Sequence, residues 1–171
     1  MQRSLETLVN LDTRFQRLNT DGQAAFQTIA NWVLSRHLCK EKKGIQWGSP
    51  QHGFHSDDSD TTNAVSMDDL ATGRATILSV LRLMKGIVVD MQAVVQLLVA
   101  GYSHVDSFGH AEKITHSKKR VAAFQKEIQL KSELFAGIFK VKHTADAMFY
   151  VSCWLHLPFI SDVDDFDSLE F

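Results

Sequence analysis

Eight histidines are the residues of this chain best suited to chemistry, and their spacing decides whether they could hold a metal. A helix offers ligands to one ion at i, i+3 or i, i+4, joined by Cys or carboxylate partners. His104, His110 and His116 lack that placement. His52 and His55 stand three apart, but in a glycine-bearing stretch without a second ligand pair. Ser, His and Asp are plentiful, yet no strand-turn-helix context presents one of them as a nucleophile. No G-x-x-x-x-G-K-[ST] or G-x-G-x-x-G run is present to cradle a phosphate. The expectation is a protein that is not an enzyme, with no cofactor and no metal.

Composition narrows the remaining classes. A chain of 171 residues suits one domain with a modest core. A formal net charge of −2 gives no general reason to expect a polyanion, so no direct nucleic-acid contact is expected. The basic runs Lys118-Lys119-Arg120 and Lys40 to Lys43 read as solvated helix edges. No stretch approaches the roughly 18 uninterrupted apolar residues of a membrane helix, and none of the N-terminal residues Met1 to Glu6 forms a signal-peptide core. No membrane association is expected. Cys39 and Cys153 are too few for a disulfide framework, which favours a reducing intracellular compartment.

Helical periodicity dominates the rest. Leu8, Leu11, Phe15, Leu18, Ala25, Ile29 and Trp32 recur by threes and fours, with Gly22 in the one weak slot, and predict a helix from about Ser4 to Leu38. Thr20-Asp21-Gly22 could kink or split it. Residues 40–66 combine turn formers with like charges and read as a flexible loop, in which Trp47 and Phe54 rest on this protein's own helices or dock elsewhere. Ser66 and Asp69 form a capping box with Asp in place of the usual Glu. The second helix carries the cleanest seam, Ile77, Leu81, Met84, Val88, Met91, Val95, Leu98 and Tyr102, a heptad pattern. Val89, Val94 and Leu97 widen it and favour three or more helices. A third helix from about Ala111 to Lys142 uses Val121, Phe124, Ile128, Phe135 and Ile138, with Leu130 and Leu134 as a second edge. Lys131 falls on its seam, where the ammonium either snorkels outward or meets a buried carboxylate and sets helix register.

The run Thr144 to Phe159 is too apolar for a free tail. Thr144 reads as its N-cap, Asp146 as a first-turn charge, and Pro158 ends it by removing a donor and forcing Leu157 out of the α region. Trp154 reads as core and then needs an internal acceptor for its indole nitrogen. His156 reads as satisfying a helix-terminal carbonyl, with a partner contact flanked by Trp154 and Phe159 as the alternative. The expected architecture is all-α: three long helices in an up-down-up, coiled-coil-like bundle, with the Thr144 to Leu157 helix folded across one end. The domain then spans 1–157, and 158–171 form an acidic, flexible tail. In that tail Phe166, Leu169 and Phe171 alternate with carboxylates. Such a segment either docks into a basic-rimmed apolar groove or simply solubilises the end. Ser49-Pro50, Ser56 and Ser59 are weak phosphorylation signals. The ridges are too extensive for one small protein to cover, which predicts a partner that shields the surplus.

The order Tyr150, Ser152, Trp154, Leu155, His156, Pro158, Phe159 resembles the C-terminal signature of the cyclin-dependent-kinase-2-interacting protein (CINP) family. The resemblance extends through Leu130-Lys131, His143-Thr144, Leu18-Asn19 and Ile29-Ala30-Asn31, and misses the segment 40–66. It implies a nuclear and also cytoplasmic adaptor subunit that pairs with a helical partner protein and docks on AAA+ ATPase subunits. The complex would act in large ribosomal subunit maturation, DNA replication and the DNA damage response. A cyclin-dependent kinase is a further partner the resemblance implies. The competing class is a self-associating coiled-coil tether.

Overall fold

A computed structural model describes residues 2–44, 66–102 and 108–161, and their side chains apart from 37–44, 102 and 108. These residues are almost wholly helical, with no strand among them. Helix α1 spans Gln2–Gly44, α2 Met67–Tyr102 and α3 Phe108–Gly137. A 3-10 turn over Ile138–Lys140 leads to α4, Thr144–His156, and α5, Pro158–Ser161. The loop expected over 40–66 lies largely outside the described residues, with Trp47, Phe54, Ser49, Pro50, Ser56 and Ser59.

Helix α1 exceeds its expected bounds at both ends and remains one helix through Gly22. Two interleaved seams explain its length. The expected positions Leu8, Leu11, Phe15, Leu18, Ala25, Ile29 and Trp32 are all buried or half-buried, and Leu11, Leu18, Ala25 and Trp32 of them lie on the first seam. A second heptad, Leu5, Leu8, Asp12, Phe15, Asn19, Gly22, Phe26, Ile29 and Val33, is buried throughout. Two partners thus claim adjacent faces of one helix, α2 on one side and the C-terminal helices on the other.

The start of α2 is capped reciprocally, as expected. The Asp69 amide donates to the Ser66 hydroxyl at 3.0 Å, and the Ser66 amide and hydroxyl donate to the Asp69 carboxylate at 3.0 and 2.9 Å. These bonds hold the Asp69 carboxyl below the usual carboxylate range. The seam from Ile77 to Leu98 is buried at all seven positions, each residue 7 % exposed or less. Its widening, however, comes from Val80 and Ile87, whereas Val89 and Leu97 face outward. Helix α2 is long and apolar enough to cross a membrane by length and composition alone; here one face of it forms the centre of the core.

Helix α3 departs most from expectation. Ser117, Arg120, Phe124, Glu127, Lys131, Leu134 and, in the turn that follows, Ile138 keep an unbroken heptad and are all buried, so four of the seven positions of this inner seam are polar. Arg120 is therefore no solvated edge, unlike its exposed neighbours Lys118 and Lys119. Lys131 does not snorkel; it is fully buried.

The packing also extends past the expected boundary at residue 157. Ile160 is buried and α5 contacts α3, so 158–161 belong to the domain. Phe166, Leu169 and Phe171 lie outside the described residues.

Glycines tune how closely the elements approach. A Cβ at Gly22 would stand 2.9 Å from Cζ2 of Trp154 and 3.2 Å from Cγ1 of Val80, whereas one at Gly86 meets nothing within 4 Å. Gly22→Ala is therefore expected to lose about 1–2 kcal/mol in denaturant unfolding, overpacking outweighing the gain in helix propensity. Gly86→Ala should gain about 0.5–1 kcal/mol.

Candidate functional site

Helix α4 brings the seven signature residues to the rest of the molecule. Its backbone cap is His143, with extended φ, so Thr144 is the first helical residue and not the N-cap. Asp146 lies in the first turn, as expected. Tyr150 and Trp154, one turn apart, aim inward at two glycine notches. The Tyr150 hydroxyl comes within 2.8 Å of where a Gly137 Cβ would stand, and Trp154 fills the space beside Gly22. Trp154 is fully buried and stacks on Phe26, centroids 4.6 Å apart with 19° between planes. Its indole Nε1 donates to the Asn19 carbonyl at 3.4 Å, the internal acceptor that a core tryptophan requires.

The break after α4 is where the polar seam acts. In a continuing helix the Trp154 carbonyl would accept from the amide of residue 158, but Pro158 has none. Lys131 Nζ supplies the bond instead, at 2.5 Å, and sits 4.9 Å from the Trp154 ring centroid. Asn19 Nδ2 donates to the next carbonyl, Leu155, at 3.4 Å. Leu157 then takes a left-handed conformation, φ 48° and ψ 56°, at a cost of about 1–2 kcal/mol for a residue with a side chain. Beyond the turn, the freed Phe159 amide donates to Glu127 Oε2 at 3.2 Å, and the Ile160 carbonyl accepts from Arg120 at 3.1 Å.

These side chains are held as two buried ion pairs. Arg120 meets Asp12 at 2.7 Å across α3 and α1, and Lys131 meets Glu127 at 3.1 Å one turn back on its own helix. The carboxylate beside Lys131 is thus on α3 itself; the bond that ties helices together runs to the Trp154 backbone. Asp12, Asn19, Arg120 and Glu127 complete a belt that grips four backbone groups between residues 154 and 160.

The terminal carbonyls are satisfied by Lys131 and Asn19, not by His156, which is exposed in the last turn of α4. Pro158 is half-buried and Ser152 exposed. Leu155 and Phe159 face outward with Met148 and Phe149, at 41, 38, 65 and 64 % exposure. Lys126 lies 6.0 Å from the Phe159 ring centroid. The surplus apolar surface expected of the α2 seam is therefore not there, since Ile77, Leu81, Met84, Val88, Met91, Val95 and Leu98 are sealed within this chain. Exposed large apolar side chains lie instead on the outer side of α2, at Met67, Leu78, Leu83, Val89 and Leu97, and on the outer face of α4 and α5.

His52, His55 and His104 lie outside the described residues, and among the described residues no three His, Cys, Asp or Glu side chains gather as a metal site would require. Comparison with protein-family models, curated proteins and solved structures gives no match.

Burial lowers the Lys131 pKa from the usual 10.5, against the opposing pull of Glu127. The native state then sheds this proton before the unfolded chain does. Between the lowered value and 10.5 the unfolded chain binds more protons, so this group makes stability rise with pH; below that window its burial cost stands in full. Lys131→Met is expected to lose about 3–5 kcal/mol at neutral pH by stranding Glu127, and adding Glu127→Gln should recover part of it. In urea unfolding, the gap between wild type and Lys131→Met should widen as pH climbs from about 8 towards the free-lysine value.

Proposed function

We propose that this chain is a non-enzymatic helical adaptor subunit, with α1, α2 and α3 in up-down-up, coiled-coil-like order. It pairs with a helical partner and docks on an AAA+ ATPase complex that acts in large ribosomal subunit maturation and genome maintenance. The proposed localisation is nuclear, with a cytoplasmic pool, and a cyclin-dependent kinase is a further proposed partner. ATP hydrolysis belongs to the ATPase, not to this chain. The order of contacts along the helices supports the bundle topology: Gly22 faces Val80 and Gly73 faces Ile29, while Asp12 meets Arg120 and Phe15 meets Phe124.

The observation that carries the adaptor reading is the outer face of α4 and α5. Met148, Phe149, Leu155 and Phe159 stand exposed on elements whose inner faces are rigidly held by the polar belt. Large side chains presented on a fixed backbone lose little freedom on binding, which suits them as anchors. The resemblance of the Tyr150 to Phe159 signature to the CINP family supplies the class of partner. A second reading, a self-associating tether, draws on Val89 and Leu97, exposed two turns apart on α2.

Affinity purification with mass spectrometry tests the adaptor reading. Wild type should capture a helical protein together with AAA+ ATPase subunits, and Met148→Asp/Phe149→Asp should lose them by about tenfold or more, with thermal unfolding unchanged. Trp154→Ala should lose them too, but only alongside a stability loss of about 3–5 kcal/mol. A stable monomer that brings down neither class of protein defeats the proposal. Homodimers that form with rising concentration in light scattering would favour the tether.

A further inference from the structure

A second surface feature lies away from the signature helix. Between α1 and α2 opens a cleft of ≈ 470 Å³ whose apolar lining runs from buried Ile87 through half-buried Leu18 to exposed Leu83. Its walls carry three guanidinium groups, Arg14 and Arg17 from α1 and Arg82 from α2. All three arginines are exposed, and no ion pair or hydrogen bond engages them among the described residues. Among the described residues Asp90 is the one carboxylate lining the cleft, two turns along α2 from Arg82. Three unpaired cations around an apolar lining attract a ligand that carries both carboxylates and a large apolar side chain.

The chain itself contains such a segment. Residues 162–171, outside the described residues, read D-V-D-D-F-D-S-L-E-F, five acids and no base with Val163, Phe166, Leu169 and Phe171 between them. The described chain stops beside the cleft's own level. The Ile160 carbonyl accepts from Arg120, which is bound to Asp12, two residues before Arg14 and five before Arg17 on α1. Asp12 and Arg17 are separated by roughly 8 Å along the helix and about 140° around it. Passing about 140° round a helix about 10–12 Å across while rising about 8 Å takes roughly 15 Å, within the roughly 20 Å that the six residues from Ile160 to Phe166 can span when extended.

We propose that residues 162–171 dock in cis in this cleft, their carboxylates on Arg14, Arg17 and Arg82 and the Phe166 or Leu169 side chain on the Leu18–Leu83–Ile87 lining. Tethering supplies an effective concentration on the order of 1 mM, so a contact as weak as about 1 mM in trans is roughly half populated in cis. The contact is independent of the α4 face and of the adaptor reading.

Nuclear magnetic resonance of the labelled full chain tests it. Arg14→Glu/Arg17→Glu/Arg82→Glu should shift the Phe166 and Leu169 amide signals, with the bound population falling about five-fold if the contact weakens tenfold. Asp164→Lys/Asp165→Lys/Asp167→Lys, outside the described residues, should move the Leu83 and Ile87 methyl signals in the same sense. Combining the two sets should restore both, and about 1 M salt should move wild type towards the single sets. All these shifts should be unchanged over about a tenfold range of protein concentration. Unmoved Leu83 and Ile87 methyls in the second variant overturn the proposal, whatever the fold of the first. Shifts that fade on dilution overturn it as well, because they assign the cleft to the tail of a second copy.

Discussion

The carbonyl oxygen of Trp154 has no helical donor, because Pro158 stands where that donor would be, and the placement of the C-terminal segment depends on how this oxygen is satisfied. A buried carbonyl left without a partner costs about 1–3 kcal/mol. Lys131 removes that cost by bringing an ammonium into the core, which in turn requires a buried counter-charge, supplied by Glu127. Glu127 also receives the Phe159 amide on the far side of the turn. One missing proton on an imino acid thus accounts for two buried charges and for the direction in which the chain leaves α4.

The same logic explains the belt as a whole. Buried ion pairs contribute little net stability, because desolvation consumes most of the attraction. What Asn19, Arg120, Glu127 and Lys131 provide is position: with Asp12 holding Arg120, they bind backbone groups left free where the helix is broken, between residues 154 and 160. The glycine notches at Gly22 and Gly137 add a steric condition, since Trp154 and Tyr150 enter only where no Cβ intervenes. With its inner side committed in this way, α4 presents Met148, Phe149 and Leu155 on a fixed frame.

Apolar repeats were legible because burial on α2 and on the α2 side of α1 is carried by aliphatic side chains at regular spacing. The inner seams of α1 and α3 were legible only in part: their apolar members and Lys131 were readable, but Asp12, Asn19, Arg120 and Glu127 occupy heptad positions that a hydrophobic count scores as breaks. A signal was present nonetheless: Leu5, Phe26 and Val33 continue the heptad of Leu8, Phe15 and Ile29 on either side of the polar positions. Reading Gly22 as a weak slot was the corresponding error of sign, since its missing side chain is the space that Trp154 fills. His156 misled for a related reason. A histidine in a last turn suits the dipole, but carbonyls facing the core are reached only by side chains from other helices.

By itself, the sequence determined the all-α class, the Ser66–Asp69 cap, the buried face of α2 and the end of α4 at Pro158, all of which follow from local propensity, period and the chemistry of one imino acid. Tertiary structure decided which polar residues are interior, that Ile160 closes the domain, and that exposed apolar side chains lie on α4, α5 and the outer side of α2, not on its seam. The physical reason is that a charge or a glycine has no fixed value along the chain. Its contribution is set by the backbone group or ring that another helix brings to it, here from more than a hundred residues away for Asp12 and Gly22.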